Sequence, residues 1–94
     1  MFARVATFEG GDLERIRDLN NERQAQGLTP PEGVRRVLVL QGDEQRLFVT
    51  FFDSREAIAA AEPGFESMGD EIPEDVRGRR LSVDVYEVVY DGEP

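Results

Sequence analysis

The chain has 94 residues and a net charge of −9, from 20 acidic and 11 basic side chains, and it contains no His, Cys, Lys or Trp. This length holds one domain, and the missing residue types exclude disulfides, thiolate nucleophiles, zinc knuckles, Schiff bases and the P-loop, together with the usual neutral-pH base and haem ligand. So acidic a surface repels phosphate backbones and anionic bilayers, and no apolar stretch approaches a membrane span, so neither nucleic acid nor membrane is an expected partner.

Met1 to Glu9 reads as a strand, with Phe2, Ala6 and Phe8 on one parity and Ala3, Val5 and Thr7 on the other. Met1-Phe2-Ala3-Arg4 leads straight into that pattern rather than into a signal peptide, so a cytoplasmic location is expected. Gly10-Gly11 ends the strand, Asp12 is placed to cap a helix reaching Gln26, and Gly27 supplies its stop. Residues 28–33, with Pro30-Pro31, form a connection. Val34 to Gln41 carries the apolar run of a buried strand, Gly42 to Gln45 is a hairpin turn, and Arg46 to Phe52 is the returning strand. Asp53 is placed to cap a second helix, with Glu56 reaching back to it. Pro63-Gly64 should break or kink that helix, after which Phe65, Met68, Ile72 and Val76 anchor a less regular acidic segment. Leu81 to Tyr90 is the last strand, and a short tail follows. The order βαββαβ is the split βαβ arrangement of ferredoxin-like domains, an α+β fold with a four-stranded antiparallel sheet and both helices on one face.

Two helices cover only one sheet face, so a monomer should alternate apolar and polar residues along its strands. Val37-Leu38-Val39-Leu40, Leu47-Phe48-Val49 and Phe51-Phe52 are apolar on both parities instead. Such a face exceeds the apolar patch of a few hundred Å² usual on a monomer, and a homodimer with facing sheets covers it. The competing possibility is that Arg4, Arg36, Arg46, Thr50 and Asp84 polarise the second face enough for a monomer.

The segment Phe52-Asp53-Ser54-Arg55-Glu56-Ala57 resembles the strand-to-helix signature of the dimeric α+β barrel superfamily, particularly the antibiotic biosynthesis monooxygenase (ABM) family. Members show an aromatic residue, often Trp, and then an x-Ser-x-Glu-Ala pattern. Val34 to Leu40 and Val83 to Val88 also look like that family. The resemblance implies a homodimer and, where there is activity, cofactor-free oxygenation or isomerisation of an acidic aromatic substrate. Haem-degrading members use a His ligand with an Asn and a Trp. Here His and Trp are missing, Phe52 stands at the Trp position and Thr7 is no clear Asn match, so no haem is expected.

Within the first helix, Leu13, Ile16 and Leu19 form an apolar side that continues through Asn20 and Arg23. Polar groups there could line a cavity for an anionic or carbonyl-bearing ligand, with Phe52 as its aromatic wall; the alternative is that both are solvated. Tyr86 shares a strand parity with Asp84 and Tyr90, which suits either a hydrogen-bonding pair or interface tyrosines with wet hydroxyls. The carboxylates from Glu62 to Asp75 match no metal-binding spacing and read as a solvated acidic surface. No metal or other cofactor is expected. The expected functions are thus binding of a small, partly aromatic molecule, with cofactor-free monooxygenation as its catalytic form, or a non-catalytic accessory role in which the sheet face serves only assembly.

Overall fold

The structure, a computed structural model, describes residues 1–26 and 31–92. The Gly27 stop, the first half of the following connection and the last two residues of the tail lie outside the described residues. Strand β1 (Phe2–Glu9) is central, antiparallel to both β3 (Gln45–Phe52) and β4 (Arg79–Glu87). Strand β2 (Arg36–Gln41) pairs with β3, giving the spatial order β2-β3-β1-β4. Helices α1 (Leu13–Ala25), α2 (Arg55–Glu71) and the short α3 (Glu74–Arg77) complete the ferredoxin-like α+β fold expected from the sequence. None of these helices is long and apolar enough to cross a membrane.

The core forms where β3 delivers its last ring to α2. Ile58, Ala61 and Phe65 recur at spacings of three and four, so they share one helix face, and that face closes on fully buried Phe52. The Phe52 and Phe65 rings meet edge to face, 6.1 Å between centroids at 78°, the arrangement that sets a positive ring edge against a negative ring face. Phe2 and Phe48 extend the cluster from the neighbouring strand positions. Arg23 on α1 donates to Glu71 on α2 at 2.8 Å, which holds the two long helices together.

Local details depart from the sequence expectations for identifiable reasons. The cap of α2 is Ser54, not Asp53: its hydroxyl accepts from the Ala57 amide at 3.1 Å. The Asp53 carboxylate is taken instead by the Arg35 guanidinium, through Nε at 3.0 Å and Nη2 at 2.6 Å. Helix α2 also runs unbroken through Pro63 and Gly64. An internal proline removes one i→i−4 bond, and here the buried Ala61 and Phe65 on either side keep both turns seated. Strand β4 begins two residues earlier than expected and ends at Glu87. Its end lies beside the start of β1, where Val88 donates to the Met1 carbonyl at 2.9 Å. Near its start the register with β1 shifts: Thr7 faces Ser82 while Phe8 faces Arg80, leaving Leu81 as a bulge.

Two glycines set the corner where β1 turns into α1. Gly11 has φ +81, and a Cβ there would lie 2.6 Å from the Val76 carbonyl oxygen. Gly78 has φ +83, and a Cβ there would lie 2.5 Å from the Glu9 carbonyl oxygen. With the Asp12 amide donating to the Val76 carbonyl at 2.8 Å, the end of β1 and the start of β4 interlock backbone to backbone.

The pairing assigns each strand residue to a face. Arg4 stands opposite Thr50 and reaches α2, and Arg46 has the parity of Thr50 and Phe52, so all three polar residues lie beneath the helices. This corrects the possibility that they polarise the second face. The open face carries Val5, Leu38, Leu40, Leu47, Phe51 and Tyr86, with Arg36, Asp84 and, at its end, Glu9 among its charged members. Leu40 is 49% and Tyr86 56% exposed.

Candidate functional site

Asn20, Arg23 and Phe52 do not converge on a cavity. Asn20 is exposed, the Arg23 guanidinium is engaged with Glu71, and the Phe52 ring is sealed by Phe65 and Ile58. Helix α1 carries Asn20 on its solvent side, while Leu13, Ile16, Leu19 and Arg23 turn inward far enough to be partly covered. Tyr86 and Asp84 do share the open face, opposite Ala3 and Val5 of β1, while Tyr90 lies beyond the end of the strand.

The acidic segment is paired rather than bare. Glu62 receives Arg4, Glu66 receives Arg80 at 3.0 Å, Glu71 receives Arg23, and Asp75 lies 3.8 Å from Arg15. Among the described residues no three carboxylates group as a metal ion would require. The Arg4–Glu62 pair is the most buried of these. Arg4 Nε donates to Oε1 at 2.6 Å and Nη2 to Oε2 at 3.3 Å, and the guanidinium lies 4.1 Å from the centroid of the Phe65 ring. It fills the space between sheet and α2 with an ion pair.

Cavities open at opposite ends of the sheet among the described residues. The first, about 440 Å³, lies where β2 begins and β3 ends, bounded by Arg35, Arg36, Phe51, Met1, Val88, Tyr90 and the carboxylate-bearing Asp91. Arg35 is committed to Asp53, which raises its pKa by hydrogen bonding and charge. Arg36 takes part in no ion pair among the described residues. A guanidinium and two aromatic side chains bordering one space are suited to a flat carboxylate, against which Asp91 stands as the opposing charge. The second cavity, about 270 Å³, lies at the β2–β3 turn and is bordered by Arg46. Sequence reasoning missed both. The parity of Arg46 with Thr50 and Phe52 signals its burial, but that Tyr90 borders the same space as Phe51 depends on where β4 stops.

No family model matches the chain, and no curated protein matches its sequence. Among solved structures it is similar to a variant of MhuD crystallised with two manganese protoporphyrin IX molecules per active site. The two share 16% identity and a TM-score of 0.61, over 100% of each chain. At that identity the likeness establishes the fold, and the fold is the one built above from pairing and parity.

Proposed function

We propose that this protein is a homodimer, joined through the middle of its open sheet faces, that binds a small aromatic carboxylate at the end of that face, in the cavity bordered by Arg36, Phe51 and Tyr90. The apolar open face is the observation that carries the reading. Four strands about 4.8 Å apart and some eight residues long, at roughly 3.3 Å per residue, span on the order of 500 Å² in plan. Two such faces approach the ~1,000 Å² at which a specific interface begins, and one alone lies toward the upper end of the roughly 300–600 Å² apolar patch that a monomer usually carries. Within the cavity, Arg36 would hold the carboxylate and the rings of Phe51 and Tyr90 would flank the aromatic body.

The porphyrin bound by MhuD does not suit this chain. Haem iron is held by His, Cys or Tyr, with Met as a partner to His; here His and Cys are absent, so Met1 and Met68 have no His to pair with, Tyr86 and Tyr90 are exposed, and Phe52, Phe65 and the Arg4–Glu62 pair fill the space under α2. We therefore derive no haem chemistry. Cofactor-free oxygenation, which the ABM resemblance implies, would act on the bound acid, and oxygen uptake with an electron-rich aromatic acid tests for it.

Sedimentation equilibrium should give twice the chain mass, and Leu40→Glu should give the monomer by burying an unpaired charge in the interface. Calorimetric titration with 2-naphthoate should show saturable binding that Arg36→Gln weakens about tenfold or more, from the loss of a charge-assisted bond worth roughly 1.5–3 kcal/mol. A dimer that binds no aromatic acid would leave the face serving assembly alone. A wild-type monomer would remove the proposal's foundation.

A further inference from the structure

Arg4 and Arg46 are the two buried arginines, 2% and 6% exposed, and they are treated very differently. Arg4 has a carboxylate on two of its nitrogens. Arg46 forms no ion pair among the described residues. Its Nη2 donates to the Gly10 carbonyl at 2.6 Å, its Nε makes a long bond of 3.4 Å to Gln41 Oε1, and its Nη1 is buried with no acceptor. Burial pushes its pKa down, yet a guanidinium stays protonated at any physiological pH. A buried charge lacking a counter-charge is costly, and the fold has kept this one at the edge of a cavity.

The other walls of that cavity narrow the choice of counter-charge. Asp43 and Glu44, both exposed on the β2–β3 turn, border the same space without reaching Arg46. A simple anion would neutralise Arg46 but meet two carboxylates; a simple cation would meet the reverse. Leu13, at the first turn of α1, contributes an apolar wall. The space, about 270 Å³ and open to solvent on one side, is of the size that a small molecule fills.

We propose that this cavity binds a small zwitterion, an α-amino acid with a short aliphatic side chain. Its carboxylate supplies the missing counter-charge to the part of Arg46 that borders the cavity, its ammonium group faces Asp43 and Glu44, and its side chain lies against Leu13. The site is independent of the aromatic-acid cavity at the other end of the sheet, so either can fail alone.

The test is a two-dimensional amide NMR titration with L-valine, isobutyrate and isobutylammonium as probes. L-Valine should give saturable shifts confined to residues 10–13 and 41–46, with the two single-charge probes at least about tenfold weaker. Arg46→Gln should abolish the L-valine shifts. The turn variant Asp43→Asn/Glu44→Gln alters only exposed side chains, so its fold should survive; it should weaken L-valine about tenfold and strengthen isobutyrate. Absence of saturable shifts with L-valine at millimolar concentration overturns the proposal. So does isobutyrate binding the wild type as well as L-valine, which would mark a plain anion site.

Discussion

The Arg4–Glu62 pair joins a nearly inaccessible cation to a carboxylate that is still 38% exposed, and that asymmetry yields a counterintuitive prediction. Glu62→Gln leaves the Arg4 guanidinium, 3% exposed, without a counter-charge. Breaking a fully buried pair in this way costs about 3–5 kcal/mol; water near the exposed glutamate and the remaining amide oxygen reduce that to roughly 2–3 kcal/mol. Arg4→Met removes the buried charge itself. Its thioether can keep the contact with Phe65, worth some 0.3–1.5 kcal/mol, and Glu62 rotates into solvent, so the net loss should stay below about 1 kcal/mol. In urea, with a slope on the order of 1–2 kcal/mol per M, Glu62→Gln should lower the midpoint by more than about 1 M and Arg4→Met by clearly less. All variants must be compared at one protein concentration, because association adds to apparent stability. If Arg4→Met is as destabilising as Glu62→Gln, the buried charge is not the costly member and the reasoning is wrong.

Thr50 is fully buried and its Oγ1 has no hydrogen-bond partner, so Thr50→Val should raise stability by about 1 kcal/mol, read as an increased thermal midpoint; a loss would reveal an acceptor or donor at that hydroxyl. Gly10 and Gly78 offer a matched comparison, because both have positive φ (+72 and +83) but only Gly78 would drive a Cβ into backbone. Gly10→Ala should cost roughly 1–2 kcal/mol for conformation alone, whereas Gly78→Ala should cost clearly more. Equal losses in chemical denaturation would mean that the corner gives way to the added methyl.

Element order was legible because each element has its own local signal: Gly10-Gly11 after an alternating run, an Asp before a helical face, an apolar run too short to be a helix. Competition between adjacent signals was not. Asp53 and Ser54 are both good caps, and the choice fell to Ser54 because Arg35, eighteen positions away, claims the aspartate. Pro63 was misleading for a similar reason, since the burial that keeps α2 continuous involves residues from other elements. Face assignment was legible in principle: parity alone links Arg46, Thr50 and Phe52. What parity does not reveal is which arginine obtains a carboxylate, because Glu62 lies far from Arg4 in sequence and Arg46 forms no ion pair among the described residues. The first helix misled site prediction for a physical reason: a face that turns polar at Asn20 can line a pocket or reach water, and here Asn20 is exposed.

The bulge at Leu81 bears on how copies of this chain can meet. A four-stranded sheet has two raw edges, each a row of backbone groups able to recruit another strand without limit. On β4 the extra residue interrupts the ladder and strengthens the local twist, and Arg79 and Arg80 place charge beside it. On the other side β2 offers only six residues. Edge growth, the route to fibres, is therefore hindered on both flanks. Contact through the flat apolar face is self-limiting, because two copies bury it and leave nothing for a third.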